Sequence, residues 1–92
     1  MITYTETDTK GRYVTGTGDA AELTLSKVSP SLIIVDHTYV PESLRGQGIA
    51  AQLAERVIAD ARAKGQRIVP LCPFLRSYAE ARRDTLGDVI PW

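Results

Sequence analysis

This chain has little cysteine and little histidine. Its 92 residues hold one of each, Cys72 and His37. A single cysteine cannot close an internal disulfide, and one thiol with one imidazole makes no metal cluster, so no metal site is expected. Both scarcities fit a reducing, intracellular setting. An excess of charge of one sign is also lacking. Lys+Arg and Asp+Glu each number 11, which gives no general attraction to nucleic acid or to an anionic membrane. No apolar run approaches the ~20 residues that a membrane span needs. The opening stretch, Met1 to Lys10, is polar and threonine-rich, unlike a signal peptide. The reading is a cytoplasmic protein of one domain, residues 1–92. A chain this short buries a modest core, so association with a second copy would help it.

What is present is a change of hydrophobic period along the chain. Arg12-Tyr13-Val14-Thr15 reads as a strand, and Gly16 and Gly18 then mark a turn. Ala21 to Val28 alternates around Leu23 and Leu25, as a half-buried strand does. After Ser29-Pro30-Ser31, the run Leu32-Ile33-Ile34-Val35 is apolar on both faces and continues into the more polar Asp36-His37-Thr38-Tyr39-Val40. That pattern predicts a central strand running toward a functional site. From Gly48 to Lys64 the period becomes helical, with Ile49, Leu53, Val57 and Ala61 on one stripe and Gly65 as the stop. Arg67 to Leu71 reads as a short strand. Pro73 can open a second helix, which fades near Arg83. Asp84 to Trp92 is left as a closing strand or tail. Strand, glycine turn, helix and strand together predict a right-handed βαβ crossover. The fold class is α+β: a mixed sheet with antiparallel N-terminal strands, the crossover and a C-terminal helix.

The turn is Val40-Pro41-Glu42-Ser43-Leu44-Arg45-Gly46-Gln47-Gly48-Ile49-Ala50. A helix start leaves backbone N–H groups unpaired at a partially positive end, where a diphosphate can dock if no side chain blocks it. Gly46 and Gly48 remove the Cβ atoms, Ala50 keeps the next turn slim, and Arg45 adds a forked cation. Three readings are open: a plain glycine-rich connection, a dinucleotide site, and a coenzyme A pyrophosphate site. The dinucleotide reading lacks its third glycine, since Ala51 stands there. A Walker-type loop is excluded, because no Gly-Lys-Ser/Thr follows.

Arg45-x-x-Gly48-x-Ala50 resembles the Q/R-x-x-G-x-G/A signature of the GNAT acyltransferase superfamily. Val40-Pro41-Glu42 before it and Val69-Pro70-Leu71-Cys72-Pro73-Phe74 after the helix resemble a short stand-alone branch, the YjdJ-type N-acetyltransferases. The resemblance runs from about Ile33 to Tyr78. It implies a minimal GNAT-like fold and an acetyl-CoA-dependent N-acetyltransferase with an unidentified amine acceptor. It also implies that the backbone of Arg45, Gly46, Gln47, Gly48, Ile49 and Ala50 holds the pyrophosphate of coenzyme A, while Thr38, Tyr39 and Val40 align the pantetheine arm. Pro70 suits a place where the two parallel strands part, and equally an ordinary sheet edge.

Candidate catalytic groups come from the residues around this gap and, for Tyr78, from the same resemblance. Cys72 follows the strand at the end where such sheets bind ligands; it is either a nucleophile or a buried, inert thiol. Tyr78 resembles the tyrosine that protonates the departing thiolate, and otherwise packs its ring under the helix. His37, with Asp36 beside it, is a base for the amine proton or a structural residue, and Glu42 is a second candidate. Arg76, Arg82 and Arg83 meet the 3′-phosphate or form a solvated helix face. Between Asp19 and Val40 there is room only for strands and turns, so the acceptor pocket is expected to be shallow or completed by a second subunit, as in a homodimer. A coenzyme A binder without efficient transfer is the rival reading.

Overall fold

A computed structural model describes residues 2–16 and 20–90. The elements run β1 (Ile2–Glu6), β2 (Lys10–Thr15), β3 (Ala21–Ser29), β4 (Leu32–Tyr39), α1 (Ile49–Ala63), β5 (Arg67–Pro70) and α2 (Pro73–Ala81). Single 3₁₀ turns lie at Glu42–Leu44 and Arg83–Thr85. The five strands form one sheet in sequence order, with β1 to β4 antiparallel and β5 parallel to β4. The α+β class and the mixed sheet are as expected.

One face of the sheet is buried and the other is open. Leu23, Leu25, Ile33 and Val35 are buried, while their neighbours Glu22, Thr24, Ser26 and Ile34 are half-buried. That is the alternation of a sheet covered on one side. The cover is α1, through Leu53, Ala54, Val57, Ile58 and Ala61, and α2, through Leu75 and Ala79. The α1 stripe is the one its 3.6 period predicts. Its end is a Schellman motif: Gln66 N donates to Ala61 O at 2.8 Å and Gly65 N to Arg62 O at 3.3 Å, with Gly65 at φ +67°.

Three expectations change. The first strand of the sheet is β1, in a stretch read only as polar; it pairs Ile2↔Thr15 through Glu6↔Gly11. The strand read as central is β4, next to the edge. Residues 84–90 form no strand. They fold as a 3₁₀ turn and a bend that bury Leu86, Val89 and Ile90. A single ladder-like bond ties this segment to the sheet edge, from Ile68 N to Val89 O at 2.6 Å. Gly16 has φ +111°, as a turn glycine does, and Gly18, expected to share that turn, lies outside the described residues.

Candidate functional site

After β4, Pro41 is buried and starts the 3₁₀ turn, in which Leu44 N donates to Pro41 O at 2.9 Å and Arg45 N to Glu42 O at 3.2 Å. Leu44 packs on the core and anchors the loop. Two left-handed residues follow, Gly46 at φ +82° and Gly48 at φ +71°. A side chain there costs roughly 1–2 kcal/mol. A Cβ built on either glycine meets nothing within 4 Å, so the backbone, not crowding, requires glycine. Gly48 is the N-cap of α1 and supplies no side-chain cap. The first bond of the helix runs from Gln52 N to Gly48 O at 3.1 Å. The amides of Ile49, Ala50 and Ala51 therefore have no partner within the helix.

These groups border a depression of about 290 Å³, lined by Val40, Leu44, Arg45, Gly46, Gly48, Ile49, Ala50, Ala51 and Phe74. The first turn of α1 holds no acidic residue. Arg45 is exposed, and its Nε donates to Val40 O at 3.3 Å, which folds the cation back over the end of β4. Unpaired amides, a bare backbone and a cation suit a diphosphate. Gln47 is exposed and lies outside the lining.

Beside the loop the sheet opens. The β4–β5 ladder runs Leu32↔Arg67, Ile33↔Ile68, Ile34↔Val69 and Val35↔Pro70, and then stops. Pro70 brings no N–H to the ladder. Leu71 N turns back to Val69 O at 3.0 Å, and Cys72 N makes a last link to Val35 O at 3.0 Å. Beyond it α2 leads away, while β4 continues through Asp36 to Tyr39 with, among the described residues, only β3 beside it. A register shift also falls here: Leu25 pairs with Val35 but Thr24 with His37, which leaves Asp36 as the extra residue. Such a bulge bends its strand and leaves the extra residue out of the ladder. Pro70 is thus both at the sheet edge and at the parting.

Cys72 and Thr38 meet in this gap. The Cys72 Sγ donates to Thr38 Oγ1 at 3.4 Å, and Cys72 is 3% exposed. Thr38 pairs with buried Leu23, so both side chains lie on the helix-covered face. His37 and Tyr39 pair with Thr24 and Glu22 and project from the open face, with their rings 6.5 Å apart and 13° from parallel. Tyr78 stands in the seam between α2 and α1. Its hydroxyl donates to Glu55 Oε1 at 3.4 Å, and the Arg82 guanidinium covers its ring at 3.8 Å. Burial pushes the Tyr78 phenol up, against the pull of Arg82 and with support from Glu55. The geometry brings Thr38 and Cys72 together, holds His37 across the sheet, and turns Tyr78 toward Glu55. Asp36 accepts from Ser26 Oγ at 2.8 Å on the open-face side.

Phe74, read in the sequence only as part of the motif after the helix and given no role at the site, lies beside it. It is 36% exposed, borders the glycine depression and leans toward Tyr78 at 6.1 Å between centroids. The available signal was its place one residue after Pro73: an aromatic in the first turn of a helix that begins beside the site.

A mixed sheet whose parallel pair parts beside a glycine-lined helix start is the architecture of an acyltransferase fold. The chain belongs to the GCN5-related N-acetyltransferase family, whose model matches residues 2–89. Among solved structures, a GCN5-like protein from Staphylococcus aureus, determined by NMR in solution, is similar to it at 29% identity and a TM-score of 0.69. That match covers 96% of this chain and 86% of the other. No curated protein matches the sequence.

Proposed function

We infer that the chain is an acetyl-CoA-dependent N-acetyltransferase of one domain, within the short stand-alone branch of its family. The observation that carries this reading is the contact of Cys72 with Thr38 in the gap between β4 and β5, next to the loop of Gly46 and Gly48. Acetyl-CoA would supply an activated thioester. The amides at the start of α1 and the Arg45 cation would hold its diphosphate, and Phe74 would border the nucleotide side. The free edge of β4 at Thr38, Tyr39 and Val40 would pair with the pantetheine amides and direct the carbonyl to Cys72.

The transfer then has two displacements. The Cys72 thiol gives up its proton to solvent, and the thiolate, beside the Thr38 hydroxyl, attacks the thioester carbonyl; the new S–C bond forms as the old one breaks, and the leaving thiolate takes up a proton. A neutral amine next attacks acetyl-Cys72; the C–N bond forms as the C–S bond breaks, Cys72 leaves as the thiolate, and the amine's surplus proton passes to a base. His37, on the open face, would be the base that takes this proton. Tyr78 keeps its own proton, because its phenol is pushed up. A raised phenol is the weaker acid, so Tyr78 would serve as a donor to the first leaving thiolate only once its hydroxyl turns from Glu55.

The test is calorimetry with coenzyme A, followed by mass spectrometry after mixing with acetyl-CoA and by a screen of amine acceptors. Binding, one added acetyl group that is lost in Cys72→Ala, and turnover with an amine are expected. Full amine acetylation by Cys72→Ala would replace the relay with direct attack. Binding without transfer to any amine would leave a coenzyme A-binding module, and no binding would overturn both.

A further inference from the structure

If the donor lies along the loop and the gap on the helix-covered face, the acceptor must arrive from the other side. Cys72, Leu53, Val57 and Leu75 close the covered face, whereas among the described residues no helix packs on the open one. There, a second groove of about 580 Å³ begins at the β1–β2 turn and includes Thr5, Lys10, Arg12, Thr24 and Asp36. Asp36, the last of these along the chain, directly precedes His37 in β4.

Register turns this groove into a ruler. Arg12 pairs with Thr24, and Thr24 with His37, so the three side chains form one row across the sheet. Strands lie about 4.8 Å apart, which puts Arg12 about 10 Å from His37. Thr24, between them, is a low saddle. The charges along the row differ from end to end. At the outer end the cations stand foremost: the Arg12 and Lys10 side chains are 52% and 65% exposed, their carboxylate partners Glu22 and Asp36 are 27% and 32% exposed, and the third carboxylate there, Glu6 at 45%, is taken up by Lys27. Arg12 meets Glu22 through Nε, and Lys10 Nζ donates to Ser26 Oγ at 2.7 Å. The inner end offers the faces of His37 and Tyr39, which suit an ammonium or its apolar stem.

We propose that this groove is the acceptor site, built for a primary amine joined through an unbranched stem to a carboxylate: an ω-amino acid. The carboxylate meets Arg12 and Lys10, the stem crosses Thr24, and the amine reaches the gap beside His37. Three bonds of extended chain advance about 3.5 Å, so the row suits six to eight bonds between the carboxylate carbon and the nitrogen. This deepens the acyltransferase reading and rests on it for the transfer, but the binding can be measured without a donor.

The experiment is an NMR titration of the full chain with 6-aminohexanoate, 8-aminooctanoate, 4-aminobutanoate and hexylamine. Amide shifts at Arg12, Thr24 and His37 are expected with the two longer amino acids. Affinity should be at least tenfold weaker for 4-aminobutanoate and for hexylamine. Arg12→Gln should bring 6-aminohexanoate down to the level of hexylamine, and Thr24→Leu, which leaves every charge in place, should block the stem. Equal affinity for hexylamine, shifts confined elsewhere, or equal affinity for a lysine peptide with its carboxylate blocked would each overturn the proposal. Binding as expected with no acetyl transfer to any amine would support the groove's ligand chemistry and overturn the acyltransferase reading instead.

Discussion

The two halves of β4 differ in what flanks them. From Leu32 to Val35 the strand is paired on both sides, to β3 and to β5. From His37 to Tyr39, past the bulge at Asp36, it is paired on one side only. The first half carries Ile33 and Val35, at 3% and 0% exposure, and holds the fold together. The second half leaves a backbone edge free and puts Thr38 against Cys72. The division of labour falls within one strand, at one proline and one bulge. Substitutions on the two sides of that point should therefore separate stability from donor binding.

The largest effect is expected in the doubly paired half. Ile68, fully buried opposite Ile33, should cost about 2–5 kcal/mol as Ile68→Ala, read from urea unfolding, while the protein that remains folded keeps its affinity for coenzyme A. Gly48→Ala forces a side chain onto φ +71° and should cost roughly 1–2 kcal/mol. It should also weaken coenzyme A, because the new Cβ points into the loop's open space. Arg45→Glu should raise the coenzyme A Kd by about tenfold or more, ~1.4 kcal/mol, with the unfolding midpoint unchanged. Loss of stability without loss of affinity in this variant would break the comparison.

Pro70→Val should sharpen it. The variant restores an N–H at the parting and favours a longer ladder. Stability should change by less than about 1 kcal/mol, while coenzyme A affinity falls as the gap narrows. The smallest effect belongs to a tie remote from the gap. Arg62 donates to Asp88 at 2.6 and 2.9 Å, and this hydrogen bond holds the Asp88 carboxyl below its ordinary range. A carboxyl lowered on folding contributes stability above its unfolded pKa and loses it as pH falls through the folded one. Both groups are solvent-exposed, so Asp88→Asn should lower the midpoint slightly near neutrality, less in salt, with the difference vanishing on acidification.

Much of this comparison was legible in the sequence, because the change from period 2 to period 3.6 and back marks β4, α1 and β5. The glycines of the loop were legible for a related reason: few residues tolerate a positive φ at a helix start. β1 was not legible. Only Ile2 and Tyr4 point inward, at half burial, among threonines and a glutamate, and the partner that makes it a strand lies along β2. The bulge at Asp36 leaves no local mark, since it depends on how β3 and β4 come into register. For the same reason, nothing along the chain shows that His37 and Thr38, adjacent in sequence, serve opposite faces. Tyr78 is similar. Its spacing places it on α2, but only the packing of α1 shows Glu55 in reach of its hydroxyl.

The segment after α2 has a consequence for solution behaviour. β5 has four residues and forms one margin of the sheet, and an unpaired apolar margin invites other chains to add a strand. The bond from Ile68 N to Val89 O, with Leu86, Val89 and Ile90 buried around it, occupies that margin without extending the ladder. The 86–90 segment thus works as a sacrificial neighbour, giving the sheet a partner that offers no further edge. Replacing Val89 and Ile90 with serine should appear first in light scattering on standing, as growing particles, before it appears in any loss of bound coenzyme A.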